Sequence, residues 1–312
     1  MVDHATNLLW SRTDTSKHAK LADTFRDRNI EIYLYDMSYT DGQLVYEVDN
    51  NRHADIFYFT NYFGYQNTIP KDIIKSFKRK GSTIIYDRTH SLFQEDKLYV
   101  DLADYSFASI RKWLGVPCGA YVSKKDESLV LPILNDYPYL SEKIEAMRQK
   151  ADYIHGDAQV HKQSFLDLYN SFGHHLAECY RDFKIDDLSL FIWEHTDKDR
   201  LKSCRQANST YLQDRLMEIP QIQVMFQASQ NDCSLFVPIL FETEEERNRV
   251  RTYLTRHSIY CPIHWPKPSV VKESLHVNDL YRQELSLICD QRYSIDDMSH
   301  IVKTLEEALA TN

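Results

Sequence analysis

The chain has 312 residues, about twice the ~150 of a typical single domain, and its 43% apolar content is enough for a sizeable core and excludes a disordered segment. Its 37 Lys and Arg against 46 Asp and Glu leave a net charge of −9, which argues against a non-specific nucleic-acid binder. No apolar run approaches the ~18 residues of a membrane helix, and Met1–Trp10 has no basic start, so the expectation is a cytoplasmic protein with no membrane partner and six scattered, reduced cysteines.

In chain order, Thr15 to Arg28 has a helical pattern and Ile30 to Tyr35 an alternating apolar one, followed by a short apolar run from Asp55 to Phe59. Ile69 to Lys80 reads as a helix with Pro70 in its first turn and Lys78, Arg79 and Lys80 in its last, where cations suit the dipole. Gly81 ends it, Ser82 to Tyr86 makes a buried strand, and further strands are expected near Tyr105–Ala108 and Gly119–Ser123. This alternation implies a mostly parallel sheet covered by helices. Glu142–Tyr153, Gln159–Phe183 and Asp199–Met217 read as helices. The last hundred residues alternate again, with strands at Ile222–Phe226, Leu235–Phe241 and Ile259–His264. Helices are expected at Glu244–His257, capped by Thr243, and at Ile295–Ala310, opening after Ser294. The expected organisation is a large α/β domain with a helical extension over residues 1–195 and a small C-terminal α/β domain over 196–312.

Glycine usage excludes further classes. Only seven glycines occur and no two are separated by a single residue, so neither a G-x-G-x-x-G dinucleotide fingerprint nor a G-x-x-x-x-G-K-[ST] phosphate loop is possible. His174 and His175 lack HExxH spacing, and no metal site is expected.

One constellation carries chemistry. Asp87 closes the strand Ser82–Tyr86, on the carboxyl rim where open parallel sheets gather ligands. His90 follows in the exit loop, and Ser109 and Lys112 lie just beyond the next strand. Taken singly, each has a plainer reading: a turn aspartate, a loop histidine, a turn serine, a solvated lysine. Together they suit pyridoxal phosphate. Lysine supplies an amine for a Schiff base, a carboxylate keeps the pyridine nitrogen protonated, imidazole covers the ring and serine holds phosphate.

The segments IIYDRTHSLF (84–93) and ADYSFASIRKWLGVPCGAYVSKK (103–125) resemble the DegT/DnrJ/EryC1/StrS family of pyridoxal-phosphate sugar aminotransferases. The likeness extends to NLLWSRTDT, IEIYLYDM, NYFGY, CRQANSTYLQDRL, IYCPIHWPKP and LSLICDQRYSIDDM, nearly the whole chain. It implies a fold-type I architecture in which Asp87 pairs with the pyridine nitrogen, His90 stands beside the ring, Ser109 contacts phosphate and Lys112 carries the cofactor. Family dehydratases replace that lysine with His, so Lys112 implies transamination. The resemblance also implies an amino-acid donor, glutamate, a nucleotide-linked keto-sugar acceptor in polysaccharide or natural-product biosynthesis, a homodimer, and His264 and Trp265 at the substrate mouth. Tyrosine, at 21 residues, is abundant enough for sugar stacking, although a role as amphipathic core and surface residues explains it better.

Two departures from the family stand out. Relatives run longer at the amino end, where a Ser-Gly-Thr helix start cradles the phosphate, and no S-G-T string occurs here. Weak or partner-dependent cofactor binding is therefore expected, and a catalytically inactive family member acting as a binding or partner subunit is the alternative. Cys118 stands where relatives often carry Asp or Glu. A glycosyltransferase-like enzyme would need a D-x-D after a strand, and none is well placed.

Overall fold

A computed structural model describes residues 5–11, 25–65, 71–125, 129, 134–179, 181–264 and 278–311. The chain forms two compact units, one of Met1–Ser106 with Asp197–Asn312, the other of Phe107–Thr196.

The first unit opens with β1 (Asn7–Ser11), β2 (Glu31–Thr40), β3 (Gln43–Glu47), β4 (Ile56–Thr60), α1 (Lys71–Arg79), β5 (Thr83–Asp87) and α2 (Lys97–Leu102). The strand order is β3-β2-β1-β4-β5, with β6 (Tyr105–Ser109) next to β5. β1 runs parallel to β2 and β4, and β4 parallel to β5, with Thr60 opposite Asp87; β3 is antiparallel at the edge. All five side chains of β4 are buried, the uninterrupted apolar run typical of a strand covered on both faces. Its core is aromatic: Phe57 stacks on Phe77 of α1 at 4.5 Å between centroids, and Phe59 on Tyr86 at 4.6 Å.

After the second unit the chain returns through α6 (Lys198–Leu216), β8 (Gln223–Val224), β9 (Phe236–Leu240), α7 (Glu244–Arg256), α8 (Asn278–Gln283), β10 (Glu284–Ile288) and α9 (Ile295–Ala310). β10, β9 and β8 make an antiparallel sheet. α6, α7 and α9 close over it around Leu212, Val237, Ile239, Leu254, Leu285 and Met298. Thr243 caps α7, and Ser294 caps α9 with a reciprocal box to Asp297, as the sequence predicts.

In the second unit β6 ends and β7 (Ala120–Lys124) lies beside it. Helices α3 (Leu140–Ile154), α4 (Lys162–Glu178) and α5 (Asp187–His195) complete the unit. Among the described residues no helix is long and apolar enough to cross a membrane, and no group of three His, Cys, Asp or Glu side chains is arranged for a metal.

Several expectations need correction. Ile259–His264 forms no strand. Pro262 has no N–H to donate to a ladder, and its carbonyl instead accepts from Ser286 at 3.0 Å, leaving β10 as the edge strand. The helix expected over Gln159–Phe183 stops at Glu178, where Cys179 leaves helical geometry. A separate helix, α5, starts at the Asp186 cap. β8 is two residues rather than five. Most of Thr15–Arg28, and Pro70, lie outside the described residues.

Candidate active site

Asp87 is the last residue of β5 and only 1% exposed. Tyr58, on the neighbouring strand β4, donates its phenol proton to Asp87 Oδ2 at 2.7 Å, and the backbone N–H of Thr89 donates to Oδ1 at 2.8 Å. Tyr58 is itself held against Trp10 of β1, with centroids 4.9 Å apart. Two donors directed at one carboxylate fix its orientation. A carboxylate oxygen offers two lone pairs, so it can take the phenol and a further donor such as a pyridinium N–H.

The loop that carries Thr89 and His90 is braced from beneath. Arg88 makes a two-point contact with Asp96, Nη2 to Oδ1 at 2.7 Å and Nε to Oδ2 at 3.2 Å, and Tyr86 donates to the same carboxylate. Burial pushes the Asp96 carboxyl above its ordinary range although Arg88 draws it down. Burial, then the Asp96 charge, pushes the Tyr86 phenol well above its usual value. Gln94 extends the brace, accepting from Asn61 and donating to Asp232 at 3.0 Å.

His90 packs in this frame, its ring 5.5 Å from Phe63 and 5.5 Å from His264. Phe63 and Gly64 turn the chain with φ of +60° and +81°. A Cβ on Gly64 would sit 2.1 Å from the Cys233 carbonyl oxygen, so only glycine lets the two backbones approach. His264, expected at a substrate mouth, is 5% exposed, between Phe63 and Phe236. Trp265 lies outside the described residues.

Ser109 and Lys112 belong to the second unit. Ser109 ends β6 and begins the single 3-10 turn Ile110–Lys112, a turn pinned by Ile110 N–H to Gly119 O at 3.1 Å and by the buried Trp113. Lys112 is exposed on that turn and Ser109 half-buried. Cys118 gains an account: its thiol donates to Asp186 Oδ2 at 2.9 Å, and Asp186 caps α5 through Ser189 N–H at 2.9 Å. Burial and the Asp186 bond raise the Cys118 thiol. Burial alone would also raise Asp186, but the bonds from Cys118 and Ser189 outweigh it and hold that carboxyl low. The six cysteines are free thiols, and burial pushes Cys233 up to about 11 and Cys261 and Cys289 up to about 12, far from nucleophilic thiolates.

The structure thus brings Asp87, His90 and His264 together in the first unit and sets Ser109 and Lys112 on one turn of the second. Sequence reasoning missed Tyr58, Thr89 and the Arg88–Asp96 brace. Tyr58 lies on β4 directly beside β5, and a tyrosine in an otherwise Ile/Phe strand that pairs with an Asp-ended one was the available signal.

No family model and no curated protein matches the sequence. Solved structures do match. An aminotransferase of Helicobacter pylori, PseC, involved in the biosynthesis of pseudoaminic acid, is 12% identical with a TM-score of 0.63, over 99% of this chain and 81% of that one. A DegT DnrJ EryC1 StrS aminotransferase from Brucella abortus is 12% identical with a TM-score of 0.58, over 97% and 79%. NtdA from Bacillus subtilis, solved with bound cofactor PMP, is 11% identical with a TM-score of 0.61, over 99% and 69%. The chain has the α/β fold of the sugar aminotransferases.

Proposed function

We propose that the protein is a pyridoxal-phosphate-dependent aminotransferase that moves an amino group from an amino acid, glutamate, to a nucleotide-linked keto-sugar. The observation that carries the reading is Asp87: a buried carboxylate at the carboxyl end of a parallel strand, fixed by a phenol and a backbone N–H, in a chain with the fold of sugar aminotransferases. That donor set fits a pyridine nitrogen, which needs an anion held in a dry, rigid setting to stay protonated. When bound, the cofactor supplies an electron sink for carbanion chemistry. Asp87 would hold its ring nitrogen, His90 its face, Ser109 its phosphate and Lys112 its carbonyl carbon. Lys112, exposed on a short turn, is suited to hold and move a proton at its Nζ, to and from the substrate carbon that exchanges the amino group. The Arg88–Asp96 brace keeps Thr89 on Asp87, so the carboxylate is oriented before any ligand arrives.

The same reading includes a homodimer. Leu188, Leu190 and Phe191 on α5 are 48%, 38% and 58% exposed, and Ile154 at the end of α3 is 68% exposed. Exposed large apolar side chains of this kind favour a partner surface.

The test of the catalytic reading is chemical. Protein mixed with pyridoxal phosphate and treated with borohydride should carry a covalent cofactor adduct on Lys112 by peptide mass mapping, and Lys112→Ala should carry none. An unmodified Lys112 at saturating cofactor would leave the inactive-subunit reading.

A further inference from the structure

Helix α3 of the second unit carries three acids, Glu142, Glu145 and Asp152, and each is committed to a partner. Glu142 accepts from Ser171 at 3.0 Å and pairs with His175, Glu145 takes Arg148 and Gln149, and Asp152 takes Arg148 at 2.8 Å. Lys143 and Lys150 lie seven positions apart, on one face of the same helix. Among the described residues neither makes a hydrogen bond or an ion pair, and nor does Arg111, on the turn that also holds Lys112.

Lys143 is nevertheless half-buried. Its Nζ lies over the Tyr169 ring at 4.2 Å from the centroid and 5.3 Å from that of Phe172, both on α4. Two aromatic faces attract the ammonium without neutralising it. Burial, then the charges of Arg111 and Lys150, holds its pKa below that of an ordinary lysine. A bound anion would relieve both costs.

The chemistry of the three groups narrows the anion. Arg111 offers a planar fork that matches two phosphate oxygens, whereas the lysines act as point charges. Lys143 and Lys150 are two turns apart, about 10 Å along the helix axis, a wider spread than one phosphoryl group covers. Two linked phosphoryl groups suit this spread better than a monophosphate or a single carboxylate.

We propose that Arg111, Lys143 and Lys150 form a diphosphate-binding site on the second unit, with Tyr169 and Phe172 fixing the Lys143 ammonium. The site uses neither Ser109 nor Lys112, and it stands or falls independently of the aminotransferase reading.

The test is a calorimetric titration of the full chain, free of pyridoxal phosphate, with inorganic diphosphate at neutral pH and low salt. Wild type should bind one diphosphate per chain and inorganic phosphate about tenfold more weakly. Lys143→Gln should weaken diphosphate binding about tenfold or more, one charge-assisted hydrogen bond's worth, and the exposed Lys150→Gln about threefold. Arg111→Gln, on an exposed turn, should cost at least as much as Lys143→Gln and serves if that variant fails to fold. Lys184→Gln, whose lysine is paired with Asp136 at 3.1 Å, should bind as wild type does. In spectra of 13C-labelled lysine, with Lys143→Gln assigning the signal, the Lys143 titration should move to higher pH when diphosphate binds. No binding at millimolar diphosphate, or binding that Lys143→Gln and Arg111→Gln both leave unchanged, overturns the proposal. So does an equal loss in Lys184→Gln, which would show general charge attraction only.

Discussion

The residues that face the candidate site in the first unit are secured by that unit's own side chains, while the helices of the second leave much of their apolar surface in solvent. Asp87 has Tyr58 and Thr89, His90 has an aromatic frame, His264 has Ser286 and Glu284, and the loop beneath has a buried ion pair. In the second unit α3 buries only Ala146 and α5 only Ser189, and Leu188, Leu190 and Phe191 of α5 are exposed. The unit is held by aromatic contacts, Tyr137 with Phe172 and Phe183, and by polar ones, Cys118 with Asp186 and His175 with Glu142 at 3.2 Å. In the proposed reaction Asp87 is held in the frame of the first unit, while Lys112 sits exposed on a short turn of the second.

That contrast can be broken by substitution. The largest effect is expected from Lys112→Ala, which removes the amine without touching the core of either unit. Amino transfer should fall by more than about 10²–10⁴-fold, the range of a lost acid–base group, while the melting temperature stays within a few degrees. Asp87→Ala should lose several orders of turnover, at about 1.4 kcal/mol of barrier per tenfold, and should also soften the first unit because Tyr58 loses its acceptor. Turnover near wild type in Asp87→Ala would remove that residue from the chemistry.

The frame itself comes next. Asp96→Ala strands the Arg88 guanidinium, whose side chain is 16% exposed against 2% for Asp96, and should destabilise the chain by about 3 kcal/mol in urea unfolding, the lower end for a broken buried pair. Gly64→Ala meets the Cys233 carbonyl at positive φ and should cost more than about 1 kcal/mol.

A smaller effect concerns pH. Asp55, Asp186, Asp290 and Asp297 are held below the ordinary carboxyl value, Asp55 mainly by Thr6 N–H and Asp297 by Ser294 N–H. For Asp186 and Asp290, burial works the other way, but the bonds from Cys118 and Ser189, and from Arg292, outweigh it. A depressed carboxyl stabilises the fold fully above its unfolded value, ~3.9, and that contribution is lost as pH falls through the folded value. Melting temperature should therefore drop below about pH 4. Asp96, which is raised, runs the opposite way, because the native state takes its proton before the unfolded one does. A flat melting temperature from pH 5 to 2.5 would contradict these assignments.

How much of this was readable beforehand follows from where each signal lives. β4, β5, α1, α7 and α9 were legible because periodicity and capping are local: Ser294 and Thr243 sit where a cap must, and Asp87 ends its strand. The β2–β3 hairpin was missed although Asp41–Gly42, at φ +52° and +79°, is a two-residue turn of the kind that joins antiparallel strands. β10 was missed because Glu284 and Ser286 look like surface residues; their burial depends on His264, twenty positions away. Tyr58 and the Asp96 brace were hidden for the same reason, since a side chain's partner across a sheet or loop is not encoded in its own neighbours.

The central claim is that Asp87 and Lys112 serve one reaction. Its most direct measurement is single-turnover release of 2-oxoglutarate from glutamate by protein loaded with pyridoxal phosphate. One equivalent per site in wild type, with loss in both Asp87→Ala and Lys112→Ala although each variant remains folded, is the predicted result. Equal release by Asp87→Ala and wild type, or none from wild type at full cofactor loading, would contradict it.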